Sequence, residues 1–178
     1  MAAAVYHVRF TCAADYNARR LPFRPAHLAQ LTALRDDGRV VAGGPEPDGG
    51  AAHIFYRVAD RAALDALIAA NEFQRAGLFV AHAARVFDDF VEPSERLPHD
   101  AGWSVTLVEG VPADRARARA ALTRLSTDKL VNLGGFFADG RALAVVRETD
   151  AAAAVARLVT AGGWDAARLT ARPWSQTL

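Results

Sequence analysis

Apolar and polar residues alternate near the start of the chain, where Tyr6, Val8 and Phe10 are the apolar positions. A period of two predicts a β-strand with one apolar face, which we place at residues 4–11. The same alternation predicts a further strand over residues 53–58. The first half of the chain should therefore contain a sheet that is apolar on one side.

Between these strands the apolar spacing becomes helical. His27, Leu31 and Leu34 stand at positions i, i+4 and i+7, and Pro25 suits the first turn of a helix. This pattern predicts a helix over 25–37. Asp60 is the predicted N-cap of a second helix that ends near residue 70, followed by a turn over 71–77. Short strands are predicted over 39–42 and 81–90, which gives the order βαββαβ.

The second half of the chain repeats this order. Aligning Gly43-Gly44 with Gly134-Gly135 pairs Leu31 with Leu122, and Leu34 with Leu125. The corresponding predicted elements are a strand, a helix, a hairpin, a helix and a strand, at 103–108, 114–127, 131–137 with 141–148, 150–160 and 169–174. We predict domains at 1–91 and 102–178, with a linker at 92–101 that has two prolines and no periodicity.

A βαββαβ unit of this size is ferredoxin-like, with both helices on one face of an antiparallel sheet. Its other face needs a cover, and two such sheets in one chain can cover each other. The predicted fold class is therefore α+β: two tandem ferredoxin-like units whose sheets pack as an intramolecular dimeric α/β barrel. Such a pseudo-dimer can exist as a monomer, and further homodimer contacts stay open.

Composition narrows the classes of partner. The 178 residues include 21 basic and 20 acidic ones, for a net charge of +1, so no patch suited to nucleic acid or to an anionic membrane is expected. Apolar runs are broken by charges before reaching the length of a membrane span, and we expect a cytoplasmic protein. Cys12 is the single cysteine, which excludes multi-cysteine metal sites.

Three segments of the first half carry a family resemblance: Arg24-Pro25-Ala26-His27-Leu28, Gly43-Gly44-Pro45 and Asn71-Glu72-Phe73-Gln74-Arg75-Ala76-Gly77. Together they resemble the YCII family of dimeric α/β-barrel proteins over about residues 4–91. That family has an Arg-x-x-His-Leu motif, a Gly-Pro after the second strand, and an Asp-Pro-aromatic segment with a downstream Ala-Gly. The family's aspartate corresponds to Asn71, and Glu72 replaces the proline.

The resemblance implies a site in which His27 transfers a proton. In the family an aspartate would orient the histidine and stabilise its charged form, whereas Asn71 can only orient it. Glu72 could supply the missing carboxylate from the next position, and Arg24 and Phe73 would contact the substrate. The alternative is that His27 packs at a helix start and Asn71 caps the chain. The second half has Ala118 and Gly162 at the aligned positions, so we expect one such site per chain.

Alternation predicts a second group of polar side chains. If Tyr6, Val8 and Phe10 face the helices, the opposite face of the sheet carries His7, Arg9, His53, Phe55 and Arg57. These groups could bind an anionic or phenolic ligand. The alternative is a hydrogen-bonded interface between sheets. Metal binding by the two histidines is the weakest interpretation, because no carboxylate accompanies them at a supportive spacing.

Nucleotide-binding, serine-hydrolase and zinc-protease motifs do not occur in the sequence. Some YCII-family members are implicated in chloride elimination from hydroxylated aromatics. The resemblance therefore implies a lyase or isomerase that needs no cofactor and no metal, and acts on a small aromatic or quinone-like metabolite. The alternative is a non-catalytic protein that binds a small molecule or assists an enzyme.

Overall fold

The computed structural model describes residues 3–93 and 103–178. They form two compact units, one of residues 3–86 with 176–178 and one of residues 87–93 with 103–175. The predicted linker at 92–101 lies almost wholly outside the described residues. The predicted domain limits stay a prediction, because the two units divide within a strand.

The first unit has four strands and four helices. In chain order they are β1 (Ala4–Cys12), α1 (Tyr16–Arg19), α2 (Arg24–Asp36), β2 (Val40–Pro45), β3 (Ala51–Val58), α3 (Arg61–Ala70), α4 (Glu72–Arg75) and β4 (Phe79–Val91). The strands are ordered β2-β3-β1-β4, and β3 pairs antiparallel with both β1 and β2. This order places the first and third strands side by side, as in a ferredoxin-like unit.

The apolar face of this sheet packs against helices α2 and α3. Val8, Phe10, Ile54 and Tyr56 share one buried cluster with the helix residues Leu31, Leu34, Leu64 and Ile68. Burial of each such side chain contributes roughly 1.5–3 kcal/mol. The alternation in the sequence therefore gives the correct inward face for both central strands.

Local signals in the sequence define the helix ends. Pro25 lies in the first turn of α2, and Gly38 follows that helix with a φ of 75°, a conformation that glycine adopts without steric cost. The side chain of Asp60 accepts a hydrogen bond of 2.8 Å from the backbone N–H of Ala63 at the start of α3. The predicted N-cap is thus confirmed.

The second unit contains the end of β4 and the remaining elements, which are β5 (Trp103–Gly110), α5 (Arg115–Thr127), β6 (Val131–Phe137), β7 (Ala142–Val146), α6 (Ala151–Ala161) and β8 (Leu169–Gln176). Its strands are ordered β4-β6-β7-β5-β8. The order β6-β7-β5-β8 is the counterpart of β2-β3-β1-β4. Asp114 and Asp150 cap α5 and α6, and both helices pack on β6 and β7 in a second buried cluster.

Several local features differ from the sequence-based prediction: β2 extends to Pro45, β7 is shorter than predicted, and an unpredicted 3-10 helix covers Ala166–Arg168. Helix α1 was not expected, and the segment predicted as a turn after residue 70 contains the one-turn helix α4. A single helical turn is too short to produce a periodic pattern. Strand β4 begins at Phe79 instead of residue 81. The packing of two sheets as a barrel stays a prediction.

Within the described ranges, none of the helices combines the length and the hydropathy that crossing a membrane requires.

Candidate functional site

His27 lies in the first turn of α2 and is held by Asn71. The distance from His27 Nδ1 to Asn71 Oδ1 is 3.2 Å, although the two residues are 44 positions apart. Asn71 sits between α3 and α4, where its side-chain oxygen also accepts a hydrogen bond of 2.9 Å from the backbone N–H of Phe73. An asparagine in this position is an ordinary N-cap, and the cap directs its oxygen toward the histidine.

These contacts determine which nitrogen of His27 carries the proton. The Asn71 oxygen can only accept, so His27 Nδ1 must donate. The orientation of the amide is in turn set by the Phe73 N–H, which requires an oxygen opposite it. His27 therefore has its proton on Nδ1, and Nε2 presents a lone pair. No hydrogen bond to Nε2 occurs among the described residues, and His27 is 7% exposed.

Aromatic rings surround the imidazole. Phe73 stacks on His27 with ring centres 3.7 Å apart and planes 5° from parallel, and Phe79 approaches His27 edge-on at 6.0 Å. Tyr16 completes this group through an edge contact with Phe73. The rings hold the imidazole rigidly and exclude water from most of its surface.

Burial keeps His27 neutral. It lowers the pKa of His27 from 6.5 to about 4, the hydrogen bond to Asn71 works in the opposite direction, and the nearby positive charge of Arg24 lowers the pKa further. An asparagine carries no charge to stabilise an imidazolium. At neutral pH His27 is thus an uncharged hydrogen-bond acceptor at Nε2.

Tyr56 is a polar group of this site that the sequence did not reveal. Its hydroxyl is fully buried, and neither this hydroxyl nor Asn71 Nδ2 has a hydrogen-bond partner among the described residues. Burial raises the pKa of Tyr56, and the Asn71 side chain offsets part of the rise. The two groups are therefore neighbours without an aligned hydrogen bond. The strand pattern assigned Tyr56 to the core, which hid its hydroxyl.

Glu72 and Arg24 do not join the contact with His27. The Glu72 carboxylate pairs with Arg75 at 4.0 Å, and the backbone N–H of Glu72 donates to the Gln30 side chain. Arg24 is exposed on α2 and acts on His27 only through its charge. The structure thus brings Asn71 and Phe73 to His27 and leaves the Glu72 carboxylate elsewhere.

The second predicted group lies on the opposite face of the same sheet. His7 Nε2 and His53 Nδ1 are 2.9 Å apart, both rings are 2% exposed, and Phe55 stacks on His7. Arg9 lies on the same face and approaches Glu46 at 4.0 Å. Arg57 also occupies this face, since it follows Phe55 by two residues on β3.

Glu46 and Arg85 were missed by the sequence analysis and contact this group directly. Glu46 Oε1 lies 2.9 Å from His53 Nε2, and Arg85 Nη2 lies 3.4 Å from His7 Nδ1. Glu46 could have been found from its position just after β2. The pairing of β2 with β3 sets Gly44 beside His53, and Glu46 lies two residues further along the chain. Within the described residues, no group of three or more histidine, cysteine or acidic side chains is arranged to hold a metal ion.

The second unit has no counterpart of the His27 site. Ala118 is buried on α5, and Gly162 ends α6 with a φ of 101°. A groove of about 500 Å³ lies between α5 and α6, lined by Arg124, Leu125, Arg157, Thr160 and three alanines.

No protein-family model matches the chain, and no curated protein matches it either. Two solved structures are similar over nearly the full length. A proposed monooxygenase from Lactobacillus acidophilus has a TM-score of 0.60 at 13% identity, over 100% of this chain and 95% of its own. A proposed monooxygenase from Fusobacterium nucleatum has a TM-score of 0.60 at 8% identity, over 99% and 93%.

The chain shares the fold of dimeric α/β-barrel proteins. This similarity of fold agrees with the α+β fold class that the sequence suggested, whereas membership of the YCII family stays a prediction. A dehydrochlorinase from Burkholderia phenoliruptrix, solved with 2,5-dihydroxybenzoquinone, matches 53% of this chain and 94% of its own at 19% identity. Its TM-score of 0.40 supports no conclusion about ligand or activity here.

Proposed function

We propose that this protein is a cofactor-independent lyase- or isomerase-type enzyme in which His27 accepts a proton from a small aromatic or quinone-like metabolite. The observation that carries the proposal is the hydrogen bond of 3.2 Å from His27 Nδ1 to Asn71 Oδ1. It leaves Nε2 as a fixed lone pair that can accept a hydrogen bond from a substrate hydroxyl. The substrate class follows from the resemblance to the YCII family.

The low pKa of His27 restricts the substrate. A base with a pKa of about 4 removes a proton from a weakly acidic C–H or alcohol only at great cost, because the match between base and acid is poor. A phenol or hydroquinone is more acidic, since its oxyanion is delocalised over the ring. We therefore expect a hydroxylated aromatic substrate whose O–H donates to Nε2, with Asn71 as the positioning residue and Phe73 fixing the ring plane.

The same observation supports a second candidate function, a small-molecule binder without turnover. A neutral imidazole held by an amide is a good hydrogen-bond acceptor even if it never keeps a proton. An aspartate at position 71 would convert this acceptor into a stronger base. The exchange Asn71→Asp therefore separates the two functions.

The experiment uses a panel of chlorinated and unchlorinated hydroxyhydroquinones, with chloride release and the quinone absorbance as readouts. The enzyme proposal expects turnover by the unaltered protein, a loss of at least about a hundredfold in His27→Gln, and a faster rate in Asn71→Asp. His82→Gln, the same exchange at an exposed histidine of β4, is the matched control.

Full activity in His27→Gln would remove His27 from the mechanism. Binding of these compounds without turnover, in both the unaltered protein and Asn71→Asp, would establish the binder instead.

A further inference from the structure

Two arginines near the His27 site have no carboxylate partner in the described part of the chain. Arg20 follows α1, and Arg24 is the first residue of α2. Neither guanidinium forms an ion pair with any of the residues that the structure describes. The neighbouring Arg19 differs, since it pairs with Asp15 at 3.2 Å. The segment between α1 and α2 therefore carries two positive charges that its own acidic residues do not pair.

Backbone hydrogen bonds place both arginines on the side of this segment that carries His27. The N–H of Arg20 donates to the carbonyl of Tyr16, and the N–H of Arg24 donates to the carbonyl of Arg20. The N–H of His27 donates to the carbonyl of Phe23. The chain therefore keeps a helical course between α1 and α2, on which positions 16, 20, 24 and 27 share one face. Arg24 precedes His27 by one turn, about 5 Å along the helix axis.

Side-chain contacts agree with this placement. The Arg20 guanidinium carbon lies 5.4 Å from the centre of the Tyr16 ring, and Tyr16 meets Phe73 edge-on at 5.7 Å. Phe73 in turn stacks on His27. Burial is the main cause of the low pKa of His27, and the charge of Arg24 lowers that pKa further. Both cations thus lie near the rings that surround the imidazole.

The two charges are placed unfavourably for the ligand-free protein. Arg20 and Arg24 are four residues apart, so their charges repel each other. Arg24 also stands at the positive end of the α2 dipole, and the first turn of that helix contains no acidic residue. Arg24 is exposed and Arg20 is partly exposed, so an anion from solvent can reach them. Such an anion would relieve both penalties, which favours a negatively charged ligand.

We propose that the substrate of the His27 site is a hydroxylated aromatic acid, whose carboxylate binds Arg20 and Arg24 while its hydroxyl donates to His27 Nε2. This inference rests on the function proposed above, because it names the substrate class of the same site. A guanidinium and a carboxylate are both planar and join through charge-assisted hydrogen bonds. One aromatic ring separates the two groups of such an acid by about the length of the helical turn between Arg24 and His27.

The experiment compares 4-hydroxybenzoate with 4-hydroxybenzamide, which has nearly the same shape and no charge. Each probe is titrated into the ¹⁵N-labelled full chain, and the amide shifts of α2 report binding. We expect the benzoate to bind about tenfold more tightly at low salt, because its bonds to the guanidiniums are charge-assisted. The preference should shrink at high salt, which screens charges near the surface.

Variants assign the preference to particular side chains. Arg20→Gln and Arg24→Gln should each reduce the preference for the benzoate and keep the affinity for the benzamide, which also shows that the variant is folded. Arg19→Gln, the same exchange at an arginine that is already paired, is the matched control and should keep the preference. His27→Gln should weaken both probes alike, because it removes the acceptor of their common hydroxyl.

Equal affinity for the two probes would overturn the proposal, and so would binding of neither. The same holds if the double variant of Arg20→Gln and Arg24→Gln keeps the full preference, since the carboxylate would then bind elsewhere. Binding is measured without turnover, so the outcome is separate from that of the proposed reaction. A chain that prefers the benzoate but converts no hydroxylated aromatic would refute the enzyme and retain the carboxylate site.

Discussion

His27 should make the folded protein sensitive to acid. Its pKa is about 4 in the folded chain against 6.5 for a free histidine, because burial disfavours the charged ring. Between these two values the unfolded chain binds more protons than the folded chain, so the free energy of unfolding rises with pH. The stabilising contribution is fully present above pH 6.5 and is lost as the pH falls toward about 4.

The size of the effect follows from the pKa difference. Each unit corresponds to 1.36 kcal/mol, so the drop from 6.5 to about 4 is worth about 3 kcal/mol. That is a substantial part of the roughly 5–15 kcal/mol by which a domain is stable. His27 is only 7% exposed, so screening by solvent does little to reduce this contribution.

The assay is urea unfolding followed by circular dichroism at the two ends of this pH range. The other histidines and the carboxylates titrate as well, so the quantity to measure is the difference between the unaltered chain and His27→Gln. On acidification, the free energy of unfolding of the unaltered chain should fall by about 3 kcal/mol more than that of the variant. His82→Gln, the same substitution at an exposed position, is the matched control.

If acidification lowers the free energy of unfolding equally in the unaltered chain and in His27→Gln, the expected effect is refuted. His27 would then be protonated as easily in the folded chain as in water. Asn71→Asp provides a second check. A carboxylate at this distance raises the pKa of a histidine by about 1–3 units, so the acid-sensitive range should narrow and move upward. NMR titration of the His27 ring measures that shift directly.

Three further predictions concern stability. Tyr56→Phe removes a buried hydroxyl that has no partner among the described residues, so it should stabilise the ligand-free protein by about 1 kcal/mol in urea unfolding; a loss would indicate a buried water bound there. Asp60→Ala removes the cap on Ala63 N–H and should cost about 1 kcal/mol, with unchanged circular dichroism. Gly135→Ala would place a methyl group against the Asp88 carbonyl and should cost about 1–3 kcal/mol, seen as a lower Tm; an unchanged Tm would contradict this close approach.

Much of the first unit could be predicted from local patterns. Alternation identified the inward residues of β1 and β3, and capping chemistry marked the start of α3 at Asp60. These features depend on residues a few positions apart, which the sequence displays directly. The pairing of His27 with Asn71 needed the family resemblance as well, because no local pattern joins residues 44 positions apart.

The sequence by itself determined which residues of β1 and β3 face which side of the sheet, and it named most members of both groups of candidate side chains. The tertiary structure decided which of them touch. Glu72 turns to Arg75 because the helical turn after Asn71 carries the next side chain away from His27. Glu46 and Arg85 reach the two histidines because strand order and register bring four segments together. Contacts of this kind depend on the pairing of distant segments, and no single stretch of sequence contains that information.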